Sequence, residues 1–414
     1  MNKDLIIITD SYPAANGGGI SQTLYNLFDN WNSSCYVVTR DSEKIADGPS
    51  LKANQLPFLF ENYRSYGNRW LKRLNPAITR ANFNRQQKIK ALPPEWPQPK
   101  QAWVLISTTE PIKLHFAWLL QHRFGYTVIP YFMDDWMAGL LLRWKDGDIQ
   151  RLAANLLNAA PCWLMISRQL QEILTKRYGL LKKPTLVIHN PSPELLSSHT
   201  NKKIPPQPNQ RLETRNYKII YAGSIWPMHF DALQAVAKAI QLLNKENTSS
   251  WELIIYTNTA AWQHNHKKLA GAGITYGGFV PYADMPSKLG EGWLLLVTAS
   301  FLPEYAGFTN SSVQTKLTDY MAAGKPVLVV GPASGASAQF VHEWDCGYSI
   351  NTPEPDDIAA QLIAIQQMTA QNQKKADNGL AAAMGYFNKA NVQDRLYRFL
   401  EPYTHKAVPA PLAC

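Results

Sequence analysis

Short apolar runs rich in β-branched residues alternate with longer stretches of helical spacing, and the alternation happens twice along the chain. The runs of the first half are 5–9, 36–39, 103–107, 128–131, 162–166 and 186–188; those of the second are 217–222, 253–256, 274–276, 294–298, 326–330 and 348–350. Helical candidates between them include 21–31, 149–159, 168–178, 231–244 and 312–323. A parallel neighbour requires a crossover, and a helix is its usual form, so this pattern predicts parallel sheets covered by helices on both faces. The expected fold class is α/β, with two doubly wound, Rossmann-like parallel-sheet domains. Such sheets bind ligands at the carboxyl ends of their strands, so each domain is expected to present an edge to a cleft between them.

The break between the two series is 197–216, SSHTNKKIPPQPNQRLETRN, which is polar and carries Pro205, Pro206 and Pro208. The expected division is a first domain at 1–196, a linker at 197–216, a second domain at 217–375, and C-terminal helices at 376–414 that can cross back to the first domain. Within the last segment Phe387, Val392, Leu396 and Phe399 form one apolar stripe. A content of 45% hydrophobic and 17% charged residues excludes a disordered or fibrous chain. Cys35, Cys162, Cys346 and Cys414 are far apart and form neither a C-x-x-C site nor a disulfide framework, which predicts a reduced, cytoplasmic protein. The opening MNKDLIIITDSYP has a four-residue apolar run cut by Thr9 and Asp10, too short for a signal peptide and read as a first strand. No window reaches the ~18 apolar residues of a membrane span, so membrane contact is expected to be peripheral.

The richest segment is 310–330, NSSVQTKLTDYMAAGKPVLVV. Ser312 is placed to cap a helix, Gly324 to end it, and Pro326 to stop it before a buried strand. At about 100° per residue from Ser312, Lys316 lies near 40° and Asp319 near −20°, whereas Val313, Leu317, Tyr320 and Met321 occupy the opposite, core-facing side. One face therefore presents a hydroxyl, a cation and a carboxylate in line. A phosphate suits the amino end of such a helix, Lys316 adds charge to it, and Asp319 can accept from the vicinal hydroxyls of a ribose. The same stripe also reads as a solvent-facing surface with an i,i+3 Lys–Asp pair.

This segment resembles the donor-site helix of GT-B glycosyltransferases, particularly glycosyltransferase family 4, whose run reads K-L-x-E-Y-M-A-x-G-K-P-V. The second acid of that family's E-x7-E motif falls on Asp319 and the first on Ser311. The resemblance implies donor binding by Ser311, Ser312, Lys316, Leu317 and Asp319. Ser311 departs from the family's Glu, which contacts the donor sugar. Gly17-Gly18-Gly19 resembles the family's N-terminal glycine loop, implying backbone approach at Gly18 and Gly19. Ser167 to Gly179 and then Val187-Ile-His-Asn-Pro191 resembles the approach to the interdomain linker. Tyr221-Ala-Gly-Ser-Ile225 resembles the G-R-L turn and implies Gly223, Ser224 and His229 at the diphosphate, with Ser224 and His229 standing where the family has Arg and Lys. Gly277-Gly278-Phe279-Val280 resembles the loop that holds the base, implying Gly278 and Phe279. The resemblance implies GT-B architecture, a nucleoside diphosphate sugar as co-substrate, and no cofactor or metal.

Other readings compete at single sites. Gly17-Gly18-Gly19 with Asp41 approaches a dinucleotide fingerprint, but Gln22 occupies the third glycine position. No G-x-x-x-x-G-K-[ST] loop is present. Asp134 and Asp135 follow the run 128–131, at the end of a strand where acid–base chemistry is expected; one suits a helix cap and the other a base or acceptor-orienting role. Glu304 precedes the donor helix and either replaces the missing Glu at the sugar or is a surface acid. The histidines are scattered, and His264 and His266 fall on different faces of a helix.

The chain carries a net charge of +10, and 62–94 supplies eight cations (Arg64, Arg69, Lys72, Arg73, Arg80, Arg85, Lys88 and Lys90) with no acid. Tyr63, Tyr66, Trp70, Leu71, Leu74 and Phe83 are interleaved with them. Arg64 to Lys90 thus suits an anionic bilayer; a solvated helix face accounts for the same charges, and no nucleic-acid module accompanies them. The resemblance implies transfer of a sugar from a UDP- or GDP-linked donor to a saccharide or lipid-linked hydroxyl, with retention, in bacterial surface polysaccharide or glycolipid assembly. Asp134, Asp135 and Glu304 are the catalytic candidates. The expected place is the cytoplasm, peripherally on the inner face of the plasma membrane. The alternatives are a sugar-nucleotide epimerase of the same fold and a degenerate, non-catalytic nucleotide-sugar-binding subunit.

Overall fold

The computed structural model describes residues 3–39, 49–57, 75–135, 147–179, 183–193, 216–246 and 250–403. The linker at 197–215, the cations from Arg64 to Arg73, Asp41, and the tail beyond 403 lie outside the described residues. The chain divides into two compact units, Met1–Ile188 with Gln393–Cys414, and His189–Val392.

Unit 1 contains β1 (Asp4–Thr9), α1 (Gly19–Phe28), β2 (Cys35–Val38), β3 (Asn54–Gln55), α2 (Asn75–Gln86), β4 (Ala102–Ser107), α3 (Pro111–His122), β5 (Thr127–Phe132), α4 (Gly147–Ala159), β6 (Trp163–Met165), α5 (Arg168–Tyr178) and β7 (Thr185–Val187). Its strands form one sheet in the order β3-β2-β1-β4-β5-β6-β7, and every pairing is parallel. Buried on both faces, β4 is apolar throughout except for Ser107, which is why its sequence reads as a run rather than an alternation.

Unit 2 contains β8 (Asn216–Ala222), α6 (Pro227–Glu246), β9 (Ser250–Tyr256), α7 (Thr259–Leu269), β10 (Ile274–Gly278), α8 (Met285–Gly290), β11 (Leu294–Thr298), α9 (Ala306–Ser311), α10 (Lys316–Ala322), β12 (Val327–Val330), α11 (Ala336–Glu343), β13 (Gly347–Ile350), α12 (Pro355–Gln367) and α13 (Thr369–Met384). The parallel sheet runs β10-β9-β8-β11-β12-β13. Each sheet starts in its middle, extends to one side and then reverses. The reversal lies between β1 and β4 in unit 1 and between β8 and β11 in unit 2. The carboxyl ends of these strand pairs are the switch points where doubly wound sheets bind ligands.

All twelve expected runs form strands; β3, two exposed polar residues, is added by pairing with β2. The last described helix is α14 (Lys389–Leu400). Its residue Gln393, grouped with unit 1, donates to the Asn26 carbonyl at 2.9 Å and to Asp29 at 3.0 Å. Val392 and Leu396 are buried as expected, but Leu400 rather than Phe399 completes the buried face, and Phe387 precedes the helix.

The helix expected at 312–323 forms only from Lys316, and a separate helix, α9, ends just before the expected start. Ser312 is the extended C-cap of α9, not the N-cap of α10. The cause is tertiary. The Gln314 amide donates to Ser337 Oγ at 3.2 Å and its side chain to the Thr298 carbonyl at 2.7 Å, while Val313 is buried. These bonds draw 312–315 off the helical path, and α10 opens at Lys316.

Candidate functional site

At the switch point of unit 2, β8 ends in Tyr221-Ala222 and the chain turns at Gly223, whose φ of +132° is glycine territory. The Ala222 amide donates to Tyr320 Oη at 2.9 Å, which fixes α10 against the end of β8. This sets Lys316, the first residue of α10, over the strand end. Its Nζ lies 4.0 Å from the centroid of the buried Tyr221 ring and 3.0 Å from where a Cβ on Gly223 would stand. This nitrogen is shut off from solvent and has no hydrogen-bond partner among the described residues. Burial pushes its pKa down to about 7.

His229, in the first turn of α6, also has a buried Nδ1, beside the Ser224 backbone. Burial and the nearby Lys316 push its pKa down to about 3, so the imidazole is neutral. A desolvated cation–π contact contributes about 2 kcal/mol, whereas burying an ammonium carries an effective penalty of several kcal/mol. The aromatic face alone does not balance the charge, and an anion seated by Gly223 would.

Three residues along α10, Asp319 accepts from the Tyr282 hydroxyl at 3.0 Å. Burial pushes the Asp319 carboxyl up to about 7, against the lowering effect of that bond. Tyr282 arrives on the loop leaving β10. There Gly277 packs on the Tyr256 ring, Gly278 has φ +84°, and Phe279 is 70% exposed.

Other expected donor residues are placed differently. Ser311 is fully buried and its hydroxyl donates to the Gly307 carbonyl at 2.6 Å, so it is turned into its own helix and not toward a ligand. Leu317 is a fully buried core residue. Ser312 is half-buried and ends α9. Ser224 is exposed, and its carbonyl accepts from Tyr221 Oη at 2.7 Å. Glu304 is exposed on the single 3-10 turn Pro303–Tyr305.

In unit 1, Gly17 is required by packing, because a Cβ there would strike Ser21 Oγ, which accepts from the Ala14 amide at 3.1 Å and donates to the Tyr12 carbonyl. Gly18 caps α1 with open space beside it, leaving backbone accessible at Gly18 and Gly19. Asp134 is half-buried in a small hollow with Ile20, Ser107, Thr108 and Thr109.

Asp135 is not a catalytic residue of the form expected. It is 1% exposed and clasped by Arg177 through two bonds of 2.6 Å each. A carboxylate held in a bidentate guanidinium clasp is unavailable as a base. Unit 1 also contains a network that sequence reading missed. Asp10 accepts from the Thr108 hydroxyl, from the Thr109 amide at 2.7 Å and hydroxyl at 2.9 Å, and from Lys113 Nζ at 2.9 Å. Burial would raise its pKa, but Lys113 and these bonds hold it below the usual carboxylate value.

The sequence model of the family described as Glycosyl transferases group 1 matches residues 216–367. The matched segment lies wholly within unit 2. The resemblance read at 310–330 lies inside the matched segment. The whole chain has the GT-B fold, as solved structures show. HepE (Alr3699) of Anabaena, in complex with UDP and glucose, superposes with a TM-score of 0.63 at 14% identity, over 96% of this chain and 99% of that one. Sucrose-phosphate synthase (tll1590) from Thermosynechococcus elongatus gives 0.63 at 13%, over 97% and 100%. WaaG, a glycosyltransferase involved in lipopolysaccharide biosynthesis, gives 0.59 at 13%, over 96% and 99%. No curated protein sequence matches at a significant level.

Proposed function

We propose that this GT-B protein transfers a sugar from a nucleoside diphosphate, UDP in preference to GDP, to a hydroxyl of a saccharide or lipid-linked acceptor. The observation that carries the reading is the enclosed Lys316 ammonium, which lacks a counter-charge among the described residues and lies beside the bare backbone of Gly223. A diphosphate supplies that counter-charge. As the bond to the anomeric carbon breaks, negative charge grows on the departing diphosphate, and a cation in a low-dielectric site stabilises it more than it stabilises the ground state. Lys316 thus takes the part that a divalent ion or an Arg/Lys pair would play, and His229 contributes a neutral hydrogen-bonding group. Asp319, oriented by Tyr282, holds the vicinal hydroxyls of the ribose, and the Gly278-Phe279 loop takes the base. Unit 1 takes the acceptor, with Asp134 as the group that orients or deprotonates its hydroxyl.

The preference for UDP is supported by HepE, whose solved complexes hold UDP, UDP with glucose, and UDP-glucose. Assembly of a surface polysaccharide or glycolipid is supported by the fold shared with WaaG. Among the described residues no helix is long and apolar enough to cross a membrane. Arg80, Arg85, Lys88 and Lys90 are exposed and bring the enzyme to an anionic membrane surface on its cytoplasmic side. Retention of configuration follows from the family resemblance.

The test is a panel of radiolabelled UDP- and GDP-sugars with wild type and Lys316→Met. Hydrolysis or transfer from a UDP-sugar is expected, with a loss of about 10²–10³ in rate for the variant, the scale of one lost transition-state contact. Binding without turnover would favour a non-catalytic subunit. A panel in which no nucleotide sugar binds overturns the assignment.

A further inference from the structure

Lys316 and Asp319 share a site but do not neutralise each other. Lys316 Nζ faces the Tyr221 ring of β8, the Gly223 backbone and, from α6, the neutral His229. Asp319 faces Tyr282 from the loop after β10. Tyr221 and Tyr320, the other ionisable neighbours, are fully buried phenols whose pKa values burial raises, so they stay neutral. Among the described residues, then, the site holds a cation with no anion against it and a carboxylate bonded to a phenol.

We propose that this site binds its nucleotide sugar with a coupled change of protonation whose sign reverses across neutral pH, because the diphosphate draws a proton onto Lys316 while the ribose hydroxyls drive one off Asp319. The inference rests on the donor-site reading above. Its balance is simple. A neutral Lys316 amine takes one proton from solvent to become the ammonium paired with the diphosphate, and a protonated Asp319 gives one to solvent to become the carboxylate that accepts from hydroxyls. No other reactant is needed. Both groups ionise near pH 7 in the free protein. At pH 8 the amine form of Lys316 and the carboxylate form of Asp319 dominate, so binding takes up close to one proton. At pH 6 the ammonium and the protonated carboxyl dominate, so binding releases close to one. Between these limits the two oppose each other. His229 stays neutral throughout this range and adds nothing.

The experiment is titration calorimetry in two non-phosphate buffers of unlike ionisation heat at pH 6, 7 and 8, with UDP-glucose and GDP-mannose as probes. A nucleotide sugar is used rather than UDP because a terminal phosphate monoester has its own ionisation near pH ~6, whereas the sugar-linked diphosphate has none there. Wild type is expected to show uptake at pH 8, release at pH 6 and a crossing between. Lys316→Arg, permanently charged, is expected to lose the uptake limb alone, and Asp319→Asn the release limb alone. Binding by wild type with the same proton count at all three pH values overturns the coupling and leaves donor binding standing. Failure of both probes to bind overturns coupling and donor site together. The wild-type measurement decides the matter even if a variant does not fold.

Discussion

Replacing Asp10 by Ala tests whether a largely buried ion pair stabilises the switch point of unit 1. Lys113 is 0% exposed, and its shortest partner is Asp10 Oδ1 at 2.9 Å. Removing one member of a buried pair costs about 3–5 kcal/mol, because the other charge is left uncompensated. Glu110 is 3.5 Å from Lys113 Nζ and partly exposed, so it can take over some of the charge. Thr109, at the surface, can turn its freed amide and hydroxyl to water. The net expectation is a loss of about 3 kcal/mol, or a fall of roughly 6–12 °C in the melting temperature of a unit this size. Calorimetry or circular dichroism on the full chain reads this as a shift in one transition.

The pH dependence has a fixed sign. The folded pKa of Asp10 is depressed, so its stabilisation is present above the unfolded value of 3.8 and is lost as pH falls through the folded value. The gap between wild type and variant should be full at pH 7 and should narrow below about pH 4. The double variant Asp10→Ala/Lys113→Met, which removes both charges, should recover most of the loss. An unshifted melting temperature in Asp10→Ala at pH 7, or no recovery in the double variant, would refute the reasoning.

Gly223→Ala should strain the backbone at φ +132° and crowd Lys316 Nζ, destabilising unit 2 by roughly 1–3 kcal/mol and weakening nucleotide binding by calorimetry; unchanged affinity would remove Gly223 from the site. Tyr282→Phe deletes the phenol's bond to the Asp319 carboxylate, so its pKa should rise further and nucleotide affinity at pH 7 should fall about 10- to 150-fold, the scale of a hydrogen bond to a charged group; affinity as in wild type would dismiss the positioning role. Reversing Arg80, Lys88 and Lys90 to Glu should reduce sedimentation with vesicles rich in phosphatidylserine, about 1 kcal/mol per cation near the surface before reversal is counted. Equal sedimentation would end the membrane assignment of that face.

The parts legible in the sequence are those fixed by local pattern. Buried parallel strands must be apolar on both faces, so runs such as Ile6-Ile7-Ile8 and Leu294–Thr298 announced themselves. The three-residue spacing of Lys316 and Asp319 put both on one helical face, and it holds although α10 starts four residues later than expected. Contacts made by distant residues were hidden. Arg177 lies 42 residues from Asp135, so two adjacent acids looked equally eligible for chemistry although Asp135 is clasped by a guanidinium from a distant helix. Lys113 lies 103 residues from Asp10. Tyr282 carries no local sign of its role, because its hydroxyl meets Asp319 only once the loop from β10 reaches α10. The break at 312–315 escaped notice for the same reason: Ser312 is an adequate cap, and only the bonds from Gln314 to Thr298 and Ser337 overrule it.

The Asp10 network bears on how many ligands one molecule can hold. Two sheets wound to the same plan offer two equivalent crevices, yet in one of them a carboxylate from the end of β1 already occupies the place an incoming anion would take, complete with its own lysine. The cation of that crevice is already neutralised, so duplication of the architecture does not double the number of diphosphate sites, and a saturating titration should end at a single nucleotide per polypeptide.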